Sequence, residues 1–294
     1  MPGAGLKLIN KRIRSVKSTQ QITKAMKMVA AAKLQRSQGR MLAAKPYSQK
    51  LAELLEQLAG SSADDDARHP LFEVRPVKRR LVVVITSDKG LCGAYNMNII
   101  RMAHKAIDDS IAAGVETEVY AVGKKCRDYF KRRGYTIFAE HADFGGEATA
   151  ERANQVGDAA VNTFLDRTFD EVRLVYSQFL STFRQKPVDR QLLPIAAEDQ
   201  ASSEKTSGPE RDYIWEPGRE ELYRLLIPLY LRNRVFMTLS EAFVSEHAAR
   251  MTSMTAATEN AGELIDALTM KRNRERQAAI TAELSDIVGG ANAL

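Results

Sequence analysis

The stretch SVKSTQQITKAMKMVAAAKLQRSQ, Ser15–Gln38, contains no Gly, no Pro and no acidic residue. Good helix formers fill it, so it reads as one unbroken helix. Apolar residues recur at Ile9, Ile13 and Val16, then Ile22, Met26, Ala30 and Leu34, then Met41. These are roughly the three- and four-residue steps of a helix face, and they place the helix start near Leu6. Gly39 weakens the helix by about 1 kcal/mol without ending it. Pro46 is expected to bend it. Leu51, Leu54, Leu55 and Leu58 continue the stripe up to GSSADDDARHP, a loop by composition. About fifty helical residues span roughly 75 Å, more than the diameter of a small domain.

Residues 1–50 hold twelve Lys and Arg and no Asp or Glu. The rest of the chain carries 31 basic residues (43 − 12) and 37 acidic ones, a balance of −6. All the net positive charge of +6 therefore comes from the first segment. A segment of one sign implies a partner of the other: nucleic acid, anionic lipid or an acidic protein surface. Aromatic residues are only 7% of the chain, which is thin for one large core and fits much exposed helix. Cys92 and Cys126 are far apart and form no CxxC, so they read as small buried hydrophobes in a reducing compartment. No apolar run reaches the roughly 18 residues a membrane span needs.

The middle of the chain changes period. RLVVVIT (80–86) is an unbroken apolar run, as expected for a buried parallel strand. VETEVYAVG (115–123), YTIFAE (135–140) and EVRLVYSQF (171–179) read as further strands, and PVDRQLLPI (187–195) as an antiparallel edge. Helical stretches separate the first four: YNMNIIRMAHKAIDDSIAAG, KKCRDYFKRRG and ATAERANQVGDAAVNTFLDR. That alternation predicts an α/β fold with a mostly parallel three-layer sheet. The expected organisation is an N-terminal helix over 1–60, a linker over 61–79 and a Rossmann-like α/β domain over 80–196. A second linker covers 197–219, and a C-terminal helix runs over 220–294.

That last helix is long, with Pro228 expected to kink its first turns. Leu222, Leu226, Leu229, Phe236, Leu239 and Phe243 form its apolar stripe, and from Ser245 to Ala261 the face changes to Ala, Thr, Ser and Met. Two long helices at opposite ends of one chain most simply pair as an antiparallel coiled coil. The small residues of AMKMVAAAK and HAARMTSMTAATEN would let the backbones approach closely. The product is a thin rod, better suited to a narrow hole than to free-standing dimerisation.

Signs of catalysis are absent from the pattern. SDKGLCGAYN (87–96) follows the first strand, where α/β folds bind phosphate, but it matches neither GxGxxG nor the P-loop. YAVGKK, after the second strand, is weaker still. His69, His104, His141 and His247 share no metal-ligand spacing, and GxSxG and HExxH do not occur. No cofactor or metal is expected. The basic helix keeps a nucleic-acid-binding coiled coil open as an alternative, although no aromatics interleave with its cations. A nucleotide-binding α/β enzyme acting through SDKGLCG is the other alternative.

STQQITKAMKMVAAAKL, TSDKGLCGAYN, SEHAARMTSMTAATENA and RNRERQAAITAELSDIVGGA occur in that order. On these four motifs the chain resembles the gamma subunit of the F-type rotary ATP synthase, over essentially its whole length. The resemblance implies a non-catalytic rotor. The terminal helices form a central shaft inside a hexameric head of alternating alpha and beta subunits, and the Rossmann-like domain rests against the epsilon subunit and the membrane c-ring. It implies that Lys24, Met26 and Lys27 face an acidic beta-subunit loop, with Arg250 nearby on the other helix. Arg276, Gln277 and Thr281 match a second contact with the head. Tyr213, Trp215 and Glu216 match the foot on the c-ring. The implied location is peripheral, on the cytoplasmic face of a bacterial plasma membrane, with the shaft coupling ion-driven rotation to ATP synthesis or hydrolysis.

Overall fold

A computed structural model describes residues 3–60, 69–195 and 218–291. The sheet forms as the apolar runs predict. Strands β1 (Arg79–Ile85), β2 (Glu116–Val122), β3 (Ile137–His141), β4 (Glu171–Phe179) and β5 (Gln185–Leu193) assemble in the order β3-β2-β1-β4-β5. The pairs β1–β2, β1–β4 and β2–β3 are parallel, and β5 runs antiparallel to β4 at the edge. Helices α2 (Tyr95–Ala112), α3 (Lys124–Arg132) and α4 (Ala150–Leu165) connect the parallel strands.

Alternation along the central strands divides the core into two layers. Leu81, Val83 and Ile85 of β1 face one side, with Tyr120, Val122, Leu174 and Tyr176. Val82 and Val84 face the other, with Val119, Ala121 and Val175. The second layer is closed by Ile99, Ile100, Ala103 and Ile107 of α2 and by Cys126 and Phe130 of α3. Both faces of β1 are therefore buried, which explains why its sequence does not alternate.

The terminal helices are α1 (Gly3–Gly60) and α5 (Arg219–Ala291), which pass through Pro46 and Pro228 respectively. The chain divides into two compact units, one of residues 1–31 with 250–294 and one of residues 32–249. The larger unit thus includes part of each long helix with the sheet. Leu55 of α1 joins Ile227, Leu231, Val235, Leu239 and Phe243 of α5 on the first face of the sheet, beside α4. Gly157 lets α4 come close: a Cβ there would lie 3.7 Å from the Arg232 Cα. Arg232 fixes the same approach through an ion pair with Asp158 at 2.7 Å.

In the smaller unit the two helices pack against each other. Ile9, Ile13, Thr23 and Ala30 are buried on α1, and Met254 and Ala261 on α5. Gln20 Nε2 donates to the Thr258 carbonyl at 3.4 Å, and a Cβ at Gly262 would lie 3.2 Å from the same nitrogen. Thr23, one turn further along α1, meets Thr258.

Two details of the long-helix stripes differ from the sequence reading. Ile22 is 57% exposed and Thr23 takes the seam position. On α5, Leu229 is exposed, and the buried line runs through Ile227, Leu231 and Val235. In both cases an outward apolar residue adjoins the true seam, so hydropathy alone shifts the phase.

Candidate partner-binding surface

The first half of helix α1 is rich in exposed cations. Within residues 5–31 it carries Lys7, Lys11, Arg12, Arg14, Lys17, Lys24 and Lys27. Lys24 and Lys27 are exposed, on the flank of the buried stripe, and Met26 between them is half-buried. Among the described residues none of these seven cations forms an ion pair. Further along α1, Arg40 reaches Glu147 at 3.5 Å and Lys50 reaches Glu53 at 2.9 Å. The unpaired charge is thus concentrated in the first half of the helix, whose buried seam holds Ile9, Ile13, Thr23 and Ala30.

Arg250 is half-buried and belongs to the same compact unit as Lys24, Met26 and Lys27. Arg276, Gln277 and Thr281 are exposed near the end of α5, where the Thr281 hydroxyl donates to the Gln277 carbonyl at 3.0 Å. Tyr213, Trp215 and Glu216 lie outside the described residues.

A further feature escaped the sequence reading. Ile280, Leu284, Ile287 and Val288 are between 49% and 68% exposed, at helical steps along one face of α5. Ile22, Met28 and Val29 are likewise exposed on α1. An apolar stripe left uncovered by the described residues marks a surface that expects a neighbour. Its spacing was visible in the sequence, but an inward-facing stripe has the same spacing.

The turn after β1 has its polar groups committed internally. The Ser87 N–H donates to Asn96 Oδ1 at 3.0 Å, the Ser87 hydroxyl donates to the Lys89 carbonyl at 2.6 Å, and Asn96 Nδ2 donates to Cys92 Sγ at 3.2 Å. At the neighbouring helix start, the Lys124 N–H donates to Asp88 Oδ1 at 3.1 Å. At the start of α3 a carboxylate of the chain itself thus takes one of the N–H groups that could otherwise face an anion. Cys126 is fully buried, and burial pushes its thiol up to about 12, so both cysteines serve as core residues. Among the described residues no group of His, Cys, Asp and Glu is placed to hold a metal, and no helix is long and apolar enough to cross a membrane.

Comparison with known proteins agrees with this division into paired helices and an α/β sheet. The ATP synthase family profile matches residues 5–294. The ATP synthase gamma chain of Heliobacterium modesticaldum is 45% identical over 293 residues, covering 99% of each chain. That of Desulforamulus reducens is 46% identical over 286 residues, covering 97% of this chain and 98% of the other. Among solved structures, a chain of the Euglena gracilis mitochondrial ATP synthase (OSCP, F1 and c-ring) superposes with a TM-score of 0.69. It is 21% identical, and the match covers 99% of this chain and 95% of the other. A chain from the central stalk and c-ring of the Tetrahymena thermophila enzyme gives a TM-score of 0.58 at 24% identity, covering 80% of this chain and 99% of the other. At those identities the structural likeness speaks to the fold.

Proposed function

Because this chain belongs to the ATP synthase gamma-chain family, we propose that its paired terminal helices turn inside the catalytic head and transmit rotation between the c-ring and the nucleotide sites. The chain is the central stalk of that enzyme and performs no bond chemistry itself. Its partners are the alpha and beta subunits, the c-ring and the epsilon subunit. It works peripherally, at the cytoplasmic face of a bacterial membrane. The observation that carries the reading is the exposed, carboxylate-free first half of α1, on a helix pair whose seam brings Thr23 and Ala30 together with Thr258 and Ala261.

The mechanism follows from symmetry and stiffness. Two unlike helices present different side chains at every angle, while a head of three alpha–beta pairs is nearly threefold. Each beta subunit then meets a different face of the pair, so rotor angle and nucleotide affinity bias one another. Exposed ion pairs contribute only about 0–1 kcal/mol each. Charge therefore guides the contact of Lys24 and Lys27 with an acidic beta-subunit loop, and Arg250 adds to the same belt. Steric push by the helices carries most of the torque. Arg276, Gln277 and Thr281 make the second contact with the head. Tyr213, Trp215 and Glu216 form the contact with the c-ring.

Co-purification with tagged beta subunit tests the reading. One copy of this chain per three alpha and three beta subunits is expected. Recovery without the head, or in more than one copy per hexamer, would contradict it.

A further inference from the structure

The loop joining β3 to α4, residues 142–149, meets several elements of the larger unit at once. The Asp143 N–H donates to Asp88 Oδ1 at 3.1 Å, and the Asp143 carboxylate pairs with Lys124 of α3 at 2.7 Å. Arg152 of α4 donates to the carbonyls of Glu147 at 3.0 Å and Phe144, holding the loop from beneath. The Phe144 ring is buried, 6.1 Å from the ring of Phe243 on α5.

The same loop touches both long helices. On α1, Lys33 Nζ donates to the Gly145 carbonyl at 3.3 Å, and Arg40 pairs with Glu147. On α5, His247 is buried, and its Nε2 lies 3.0 Å from the Gly146 carbonyl. A carbonyl only accepts, so Nε2 carries the proton. Gly146 has φ +75°, and a Cβ there would sit 2.7 Å from His247 Cε1. Only glycine meets both demands without displacing the ring.

A second, independent observation concerns where the compact units divide. The divisions fall between Ala31 and Ala32 and between Ala249 and Arg250. Lys33 and His247 lie within two or three residues of them. We infer that the 142–149 loop is a clamp that fixes the points at which α1 and α5 leave the α/β unit, with Gly146 and His247 as its positioning residues. The inference deepens the proposed function and rests on it in one respect: a helix pair that carries torque needs a fixed root.

Hydrogen exchange on the full chain tests the clamp without reference to rotation. In Gly146→Ala and in His247→Ala, amides of residues 33–41 and 243–249 should exchange roughly tenfold faster, while those of β1 keep their protection. The double variant G146A/H247A should recover part of the loss of G146A, because removing the ring makes room for the methyl group. K33A/R40A leaves the core and backbone untouched and should loosen only the α1 side. Unchanged exchange in both helices, or equal acceleration in β1, overturns the clamp. In the reconstituted complex, His247→Ala should broaden the distribution of rotor angles with the head locked. Faster exchange with an unbroadened distribution would overturn the torque-bearing role and leave the clamp standing.

Discussion

Thr258 Oγ1 lies 2.8 Å from Thr23 Oγ1, joining α5 to α1 through two hydroxyls. Each hydroxyl is also within reach of a carbonyl on its own helix, Met254 at 2.7 Å and Gln20 at 3.0 Å. A hydroxyl has one proton, so one Thr crosses the seam while the other bonds its own helix. The pair places a polar link where a coiled coil ordinarily has two branched apolar side chains, and it keeps the seam narrow.

Thr258→Val should cost about 0.5–1.5 kcal/mol, the net worth of one hydrogen bond. Adding Thr23→Val should cost less than a second such increment, because the first change has already removed the partner. Urea unfolding of the full chain measures both. Thr258→Leu should be worse than either, since the narrow seam has no room for the larger side chain.

Replacing Lys24 and Lys27 together by Glu should lower the coupling of proton flow to ATP synthesis more than it lowers assembly. Both side chains are exposed and make no ion pair among the described residues, so folding should be nearly unaffected. Proton pumping and synthesis in vesicles, set against subunit recovery, decide the matter. Failure of assembly first, or unchanged coupling, removes the acidic-loop contact from the mechanism.

Glu241 supplies a pH dependence. Burial raises its pKa, and hydrogen bonds from the Tyr176 hydroxyl and the Phe179 N–H offset this only in part. A carboxyl whose folded pKa lies above its unfolded value binds its proton more tightly in the folded state. Its stabilising contribution is complete below the unfolded value of 4.5 and is lost as pH rises through the folded value. Glu241→Gln, which stays neutral, should therefore match the parent near pH 4 and unfold at higher temperature than the parent near pH 8. Calorimetry at the two pH values checks the sign.

Gly123→Ala should destabilise the α/β unit by about 3 kcal/mol or more. The residue joins β2 to α3 at φ +98°, and a Cβ would lie 2.3 Å from the Thr86 carbonyl oxygen. Backbone on both sides cannot give way cheaply. Gly134→Ala, at φ +77° with nothing within 4 Å, should cost less, since only the conformational strain applies. Paired denaturation curves separate the two.

Much of the fold was legible because its physics is local. RLVVVIT reads as a strand buried on both faces, and the alternation of strands and helices points to a mostly parallel sheet with an antiparallel edge. The phase of the long helices was less legible. Thr23 takes a seam position while Ile22 faces outward, and Ile227 rather than Leu229 enters the core. Hydropathy assumes that apolar side chains point inward, and that assumption weakens for a chain whose outer faces expect neighbours. For the same reason Ile280, Leu284 and Ile287 were missed. The contact of Gly146 with His247 spans 101 residues, and no short-range pattern announces it.

The smaller compact unit draws one helix from each end of the chain, and this has a consequence for biosynthesis. Residues 1–31 emerge from the ribosome before residues 250–294 and must wait for them. At roughly 5–20 residues per second, translation of the intervening Ala32–Ala249 takes roughly 10–40 s. Throughout that interval the nascent helix has an uncovered apolar seam. Its seven cations and lack of acids make two such nascent segments repel each other on a polysome, so like charge protects the newborn chain from its own copies until its partner arrives.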